Sequence, residues 1–211
     1  AESLLFHWGT IPACVTGQRT LSFQEISITC PPEPLITLLT STFLHGGALH
    51  LGGNMLFLWI FGDNIELKFG RLKFLGIYLA WGVIAGLAHV AGDLNSPIPA
   101  VGASGAISGV LGAYLIMFPR ARIMTFMMMG FFSRMTYVSA KFFLPFWLIF
   151  QNILPLLVGG FGFGSGGVAY LAHVGGFLIG LATGYIYKKM HTEEFSYGTR
   201  YSSRYGWKGG I

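Results

Sequence analysis

The sequence predicts an all-α protein that crosses a membrane several times, and three observations support this fold class. Apolar residues make up 53% of the chain and charged residues only 10%, whereas a water-soluble domain carries about a quarter charged residues. Several uncharged runs approach or exceed the ~18 residues that cross a bilayer as a helix. Twelve of the thirteen Lys and Arg residues fall in three groups after alternate apolar runs, which is the positive-inside pattern of membrane proteins.

The apolar runs predict five membrane-spanning helices, at residues 48–67, 72–92, 103–118, 142–158 and 168–187. The cationic groups place the turns 68–73 and 119–141 on the cytoplasmic side, together with the tail 191–211. The turns 93–101 and 159–167 contain no Lys or Arg, so they are expected outside. Residues 48–190 are therefore predicted to form one transmembrane domain. The basic residues follow this topology rather than forming a patch, so nucleic acid is not an expected partner.

The other segments are expected outside the hydrocarbon core. Residues 1–47 are rich in proline and form an extracytoplasmic segment, in which Cys14 and Cys30 either pair as a disulfide or remain free thiols. Residues 121–137 are apolar but lie between basic residues, which favours an interfacial or re-entrant element over a full span. The tail 191–211 is polar and is expected to be mobile.

Four polar side chains inside the predicted spans form a candidate site. These are His50 and Asn54 in the first span, Ser104 in the third and His173 in the fifth. Such groups are costly in lipid and suggest function. The height of each side chain can be counted from the first cationic residue at the inside end of its span, at about 1.5 Å per residue. Asn54 then lies about 21 Å above that level, Ser104 about 24 Å and His173 about 22 Å. The three side chains therefore share one depth.

Small residues allow the third and fifth spans to approach each other. The third span presents Ser104, Ser108 and Gly112 on one stripe and Gly105 and Gly109 beside it, and the fifth presents Gly176, Gly180 and Gly184. If these stripes face each other, Ser104 and His173 come within hydrogen-bond reach, and the histidine can activate the serine as a nucleophile. No Asp or Glu lies near this depth, so a dyad is expected rather than a triad.

His50 and Asn54 are four residues apart and share one face of the first span. Both side chains can donate hydrogen bonds, and with the Ser104 backbone N–H they would form an oxyanion hole. His45 lies at the mouth of this span, where we expect an orienting or structural hydrogen bond. A metal site from His45, His50 and His173 is disfavoured, because the chain has no His-Glu-x-x-His motif and no carboxylate near enough to act as a base.

Each of these residues taken alone also has a structural explanation. A membrane serine often bonds to its own helix backbone, and a single intramembrane histidine is often structural. Small residues at four-residue spacing are common in membrane helices. The combination of four polar groups at one depth favours a functional site.

Three segments of the chain carry a resemblance to a known family. Residues 44–54 read LHGGALHLGGN, residues 101–109 read VGASGAISG and residues 170–176 read YLAHVGG. In their order and spacing these segments resemble the rhomboid intramembrane serine proteases, over residues 35–189. The resemblance implies that Ser104 is the nucleophile and His173 the general base, with His50, Asn54 and the Ser104 amide as the oxyanion hole. Supporting roles fall to His45, Gly102, Gly105, Ser108, Gly176 and Gly180.

The resemblance also implies the reaction and its setting. The family cleaves helical transmembrane substrates near their extracytoplasmic ends without a cofactor. We therefore expect an integral, multi-pass protein of a bacterial or archaeal plasma membrane, with its site facing the extracytoplasmic side. Its expected partners are transmembrane protein substrates and the lipid bilayer, and the sequence leaves its oligomeric state open.

Three features depart from the family pattern. The family core has six helices and five are predicted here, so either the chain is a fragment whose first helix precedes Ala1 or residues 1–12 retain the end of that helix. Many members carry a Trp-Arg pair where Ile36 and Thr37 stand here. Some members have a tyrosine beneath the histidine ring where this chain has Ser108, so another group must hold His173.

Two other functions are weighed against proteolysis. The first is a catalytically silent rhomboid-like protein that binds membrane helices or assists their quality control, but that class normally lacks the serine or the histidine. The second is a small transporter, which would need inverted repeats with broken helices. The sequence has no such internal symmetry.

Overall fold

The computed structural model describes residues 2–23, 26–129, 132–159 and 169–192. The α-helices in chain order are α1 (Glu2–Trp8), α2 (Pro12–Val15), α3 (Thr37–Thr40), α4 (Ala48–Phe57), α5 (Asp63–Phe69), α6 (Arg71–Gly92), α7 (Ser104–Met117), α8 (Ala140–Leu148), α9 (Leu154–Gly159) and α10 (Tyr170–Met190). The strands are β1 (Thr20–Phe23), β2 (Ile26–Thr29), β3 (Arg122–Met129) and β4 (Phe132–Ser139), and they pair as two separate antiparallel hairpins.

Five helical stretches match the five predicted spans to within a few residues. The first joins α4 and α5 through a π-helical turn at Leu58–Gly62, and the fourth joins α8 and α9 through another at Ile149–Ile153. By length and composition, the helices Arg71–Gly92, Ala140–Val158 and Tyr170–Met190 are each sufficient to cross a membrane. The predicted class, an all-α polytopic membrane protein, is confirmed. Most of the second outer turn and of the tail lies outside the described residues.

Helix α7 is the centre of the bundle, since eleven of its fourteen residues are buried. A helix of this length is about 21 Å long, which is less than the hydrocarbon core of about 30 Å. Its C-terminal end is held to the cationic end of α10, where the Lys188 Nζ donates to the Ile116 carbonyl over 3.2 Å. Ser104 is the first residue of the helix, at its opposite end.

Helices α7 and α10 touch through their backbones. A Cβ atom added to Gly176 would collide with the carbonyl oxygen of Gly105, and one added to Gly180 would collide with that of Gly109. A Cβ on Gly112 would in turn meet the backbone of α10 at Phe177. The predicted small-residue stripes thus face each other, and this contact sets the distance between the two helices that carry Ser104 and His173.

The helix ends that carry Lys68 and Lys188 are tied together. The Tyr187 hydroxyl donates to the Lys68 carbonyl over 2.7 Å, linking the end of α10 to the end of α5. Between α5 and α6 the chain reverses at Gly70, whose φ of 79° lies in the left-handed region that favours glycine. These contacts bring Lys68, Arg71 and Lys188 to the same end of the bundle.

The N-terminal segment packs over the first outer turn. Thr10 forms a β-bridge with Ala100, and the Ala13 N–H donates to the Ser96 carbonyl over 3.1 Å. A disulfide joins Cys14 to Cys30. Of the two alternatives left open by the sequence, the structure therefore has the disulfide and not the free thiols. This disulfide lies in a small apolar cluster of its own, beneath the β1–β2 hairpin.

The segment predicted to be interfacial or re-entrant, 121–137, forms most of the β3–β4 hairpin. At its base Ile123 is buried in the core of the bundle. The face bearing Met124, Phe126, Met135 and Tyr137 is exposed, with Met124 opposite Tyr137 and Phe126 opposite Met135. Contact of this face with the bilayer remains a prediction. Residues 130–131, between the two strands, lie outside the described part.

Candidate functional site

Ser104 and His173 lie in direct hydrogen-bond contact at the end of the bundle opposite Lys188 and Lys189. Ser104 is the first residue of α7 and His173 is in the first turn of α10. The Nε2 atom of His173 is 2.7 Å from the Oγ atom of Ser104. Because the glycines allow the two helices to touch, side chains 69 positions apart in sequence meet here without a bridging residue.

The other ring nitrogen of His173 contacts Asn152, a residue that the sequence argument did not select. The Nδ1 atom of His173 is 2.6 Å from Oδ1 of Asn152, which lies in the π-helical turn between α8 and α9. Asn152 is 1% exposed. The adjacent amides Gln151 and Asn152 in an apolar span were the available signal, because a buried amide in a membrane helix needs a partner.

Ser108 does not reach His173. Its hydroxyl donates to the Ser104 carbonyl over 2.7 Å, four residues back along α7, and the residue is fully buried. Ser108 is thus a packing residue that bonds to its own helix. The expectation that a group other than Ser108 holds His173 agrees with the contact from Asn152.

His50 lies against the turn that leads into Ser104. A Cβ atom added to Gly102 would be 2.9 Å from both Cε1 and Nε2 of His50 and 3.6 Å from Oγ of Ser104. With a φ of 126°, Gly102 adopts a backbone that side chains rarely take. This position therefore needs glycine for two reasons, its conformation and the close approach of the imidazole.

A backbone contact defines which nitrogen of His50 carries the proton. The Gly46 N–H donates to Nδ1 of His50 over 3.3 Å, so the neutral ring carries its hydrogen on Nε2. That N–H lies on the Gly102 side of the ring. His50 thus presents a donor toward the turn that leads into Ser104.

Asn54 lies one turn after His50 on α4 and is 8% exposed. Within the described residues, its buried Nδ2 atom has no hydrogen-bond partner. A buried donor without an acceptor costs about 1–3 kcal/mol, so such a group in a native protein needs an explanation. A bound molecule that supplies a hydrogen-bond acceptor for Nδ2 would explain this unpartnered group.

His45 packs edge-on against His50, with ring centroids 5.2 Å apart. It lies before α4, at the mouth of the site, and makes a hydrogen bond with the backbone of Phe43. Burial, together with the neighbouring His50, lowers the pKa of His45 below its ordinary value of 6.5. His45 therefore favours its neutral form and packs against the ring of His50.

A small cavity extends behind Ser104. Its wall is formed mainly by small side chains, with His89 as the largest polar group; the lining residues include Thr42, Gly82, Ala85, Gly102 and Ala172. Among the described residues, no group of three His, Cys, Asp or Glu side chains is arranged to hold a metal ion. The chemistry available on this part of the chain is that of hydroxyl, imidazole and amide groups.

An apolar helical bundle with helices long enough to cross a membrane defines the class of the protein as integral membrane. Residues 32–190 match the Rhomboid domain family. The chain belongs to the rhomboid family, and the resemblance of its three sequence segments is confirmed.

Curated relatives cover different parts of the chain. The chain is 30% identical to Rhomboid protein 1, mitochondrial, of Saccharomyces cerevisiae over 73% of its own length and 42% of that protein. It is 34% identical to Rhomboid protease GluP of Bacillus subtilis over 68% of its length and 24% of that protein. The human presenilin-associated rhomboid-like protein, mitochondrial, is 32% identical over 58% of the chain and 32% of the relative. The chain thus spans less than half the length of each of these relatives.

Proposed function

We propose that this protein is an intramembrane serine endopeptidase that hydrolyses peptide bonds in or near the transmembrane segments of other membrane proteins. The observation that carries the proposal is the 2.7 Å contact between Oγ of Ser104 and Nε2 of His173 at the start of a buried helix. A serine is a weak nucleophile unless a base accepts its proton, and this contact supplies the base.

The reaction follows from the position of these atoms. The Ser104 oxygen attacks the scissile carbonyl carbon while His173 Nε2 takes the hydroxyl proton. The resulting tetrahedral intermediate collapses when His173 gives that proton to the leaving amine, which leaves an acyl-enzyme. Water then attacks the ester, His173 again accepts and returns a proton, and Ser104 is regenerated.

Three donors are suited to the negative oxygen of the intermediate. They are the Nε2–H of His50, the Nδ2–H of Asn54 and the backbone N–H of Ser104 at the start of α7. The first N–H groups of a helix have no intrahelical acceptor and favour negative charge. The unpartnered Nδ2 of Asn54 supports this role, since the intermediate would supply its missing acceptor.

The surroundings of Ser104 favour a substrate with a small residue at the cut. The cavity behind Ser104 is lined by Gly82, Ala85, Ala172 and similar small side chains, which leaves room for a short side chain only. GluP, one of the relatives, is described as a rhomboid protease, and this agrees with proteolysis.

His173 lies in the first turn of α10, opposite Lys188 and Lys189 in its last turn, and by the positive-inside rule the end without these lysines faces the extracytoplasmic side. The relatives include mitochondrial proteins. They therefore give no support to the narrower expectation of a bacterial or archaeal plasma membrane. The proposal is limited to an integral membrane protein with its site facing away from the positively charged turns.

The proposal is tested by labelling purified protein in detergent with a fluorophosphonate probe and by following cleavage of a single-span model substrate in liposomes. Wild type is expected to be labelled and active, and Ser104→Ala to show neither property. His173→Ala should lose both because the serine loses its base. The proposal is wrong if Ser104→Ala cleaves the substrate as wild type does. It is also wrong if folded wild type is neither labelled nor active, and a catalytically silent protein that binds membrane helices is then the better explanation.

A further inference from the structure

We propose that Asn152 is a positioning residue that fixes the orientation and the tautomer of His173. This inference rests on the proposed function, in which His173 is the general base. It converts the expected pair into a three-residue chain of Ser104, His173 and Asn152, in which the third member is a neutral amide instead of a carboxylate.

The orientation of the Asn152 amide is set by its second contact. Its Nδ2 atom lies 3.5 Å from the carbonyl oxygen of Trp147, and that oxygen can only accept. The NH₂ end of the amide therefore faces the backbone of its own helix. The Oδ1 end consequently faces His173 at 2.6 Å.

This orientation determines the tautomer of the imidazole. Because Oδ1 of Asn152 can only accept, Nδ1 of His173 must carry the hydrogen and donate it. In the neutral ring Nε2 then has a lone pair, and it faces the Ser104 hydroxyl at 2.7 Å. The opposite tautomer would present an N–H to Ser104 and would be unable to accept its proton.

The local fold of the fourth span brings Asn152 to this position. The helix is interrupted by the π-helical turn Ile149–Ile153, and Pro145 and Pro155 lie on either side of this turn. Proline lacks the N–H of a regular helical turn, and wide turns often occur at functional sites. The turn directs Asn152 inward while its neighbour Gln151 is exposed. Trp147 packs near the imidazole from the same helix, at 6.3 Å between ring centroids.

Three variants test this role. Asn152→Leu removes the acceptor at similar size, and Asn152→Asp keeps an acceptor oxygen but adds a negative charge. Gln151→Leu is the matched control, because it removes the neighbouring amide from the exposed side of the same turn. Cleavage of the single-span substrate is followed between about pH 5 and 9, the range in which histidine normally titrates.

Asn152→Leu is expected to lower kcat about 10- to 100-fold with little change in KM. A positioned general base contributes a rate enhancement of about 10²–10⁴-fold, and this variant should lose part of it. Asn152→Asp is expected to keep most of the activity at high pH. The acidic limb of its pH–rate profile should move upward by about one unit or more, because a carboxylate beside the ring stabilises the imidazolium. Gln151→Leu should match wild type in both respects.

A second measurement does not depend on activity. With ¹⁵N-labelled histidine at neutral pH, wild type should show His173 protonated on Nδ1 and unprotonated on Nε2. Asn152→Leu should lose this preference. The inference is overturned if folded Asn152→Leu retains the wild-type kcat, if the acidic limb of Asn152→Asp does not move, or if the NMR tautomer is the opposite one. Should Asn152→Leu fail to fold, Asn152→Asp and the wild-type spectrum still decide the question. If Ser104 proves to have no part in cleavage, it is the proposed function that fails, and the tautomer result stands by itself.

Discussion

Substitution of Gly180 by alanine tests whether the contact between α7 and α10 holds the site together. In the structure, the added Cβ would collide with the Gly109 carbonyl oxygen and would lie 2.7 Å from its carbon and 2.8 Å from its Cα atom. All three are backbone atoms, which cannot move aside as a side-chain end can. The two helices must therefore separate.

The size of the effect follows from packing and from the distance to the site. Overpacking a tight contact by one methyl group costs about 1–3 kcal/mol. His173 lies seven residues before Gly180, or about 10 Å along α10, so separation at Gly180 also shifts the imidazole away from Ser104. A displacement of about 1 Å in a catalytic contact can lower a rate about 100-fold. Both the stability and the rate of serine labelling should fall.

The matched control is Gly76→Ala in α6, where an added Cβ has no atom outside its own helix backbone within 4 Å. Alanine favours a helix over glycine by about 1 kcal/mol, so this variant should be as stable as wild type or more so. Thermal unfolding in detergent and the rate of fluorophosphonate labelling are compared for both variants. Equal stability and equal labelling of Gly180→Ala and Gly76→Ala would refute the reasoning, because backbone contact would then not limit the helix separation.

Three further predictions concern the parts of the protein around the site. Cys30→Ser should destabilise the N-terminal segment by about 3 kcal/mol, because the Cys14–Cys30 bridge spans 16 positions and a closed loop of about 15 residues is worth that much. Thermal unfolding and proteolysis of the variant and wild type measure this loss. The stability of wild type should fall as the pH drops below 6.5. The pKa of His45 is lowered in the folded protein, so the folded protein binds fewer protons there than the unfolded chain does. In thermal unfolding, His45→Gln should show a weaker dependence of stability on pH. An NBD fluorophore on Phe126→Cys should show a blue-shifted emission that lipid-borne quenchers reduce, because the exposed face of the β3–β4 hairpin is predicted to contact the membrane interface.

Each of these predictions has a control and a contradicting result. Reduced wild type should match Cys30→Ser, and unchanged stability in both would mean that the bridge does not hold the segment. The pH prediction is wrong if wild type and His45→Gln lose stability in parallel. For the fluorophore, the control is a label at Thr192, an exposed position at the end of α10. Equal emission and equal quenching at the two positions would mean that the hairpin does not contact the membrane interface.

The five helices were predictable because lipid imposes a simple rule on the chain. Every backbone polar group in the hydrocarbon core must be satisfied within its segment, so long apolar runs become helices. The cationic residues predicted the orientation of these helices, and the rise per residue predicted one depth for Asn54, Ser104 and His173. The stripes of Gly105, Gly109, Gly176 and Gly180 indicated which two helices could approach.

The hairpins and the N-terminal packing were not predictable in the same way. The β3–β4 segment has methionine on both faces, with Met124 on one and Met127 on the other, so the alternation of polar and apolar residues that indicates a strand is weak. The pairing of Cys14 with Cys30 depended on the close approach of α2 to the end of β2, which is a tertiary contact. A sequence with two cysteines permits the bridge but does not determine it.

The sequence by itself determined the membrane class, the positions of the five helices and the two residues that meet at the site, because hydropathy and small-residue spacing act locally along the chain. Only the tertiary structure decided what lies on the far side of His173. Asn152 is one amide in an apolar helix, next to Gln151, and nothing local distinguishes the two. The π-helical turn rotates one of them inward and leaves the other outside, and hydrogen bonding to Trp147 then orients its oxygen toward the imidazole. A contact that depends on such a rotation becomes visible only when the helices are packed.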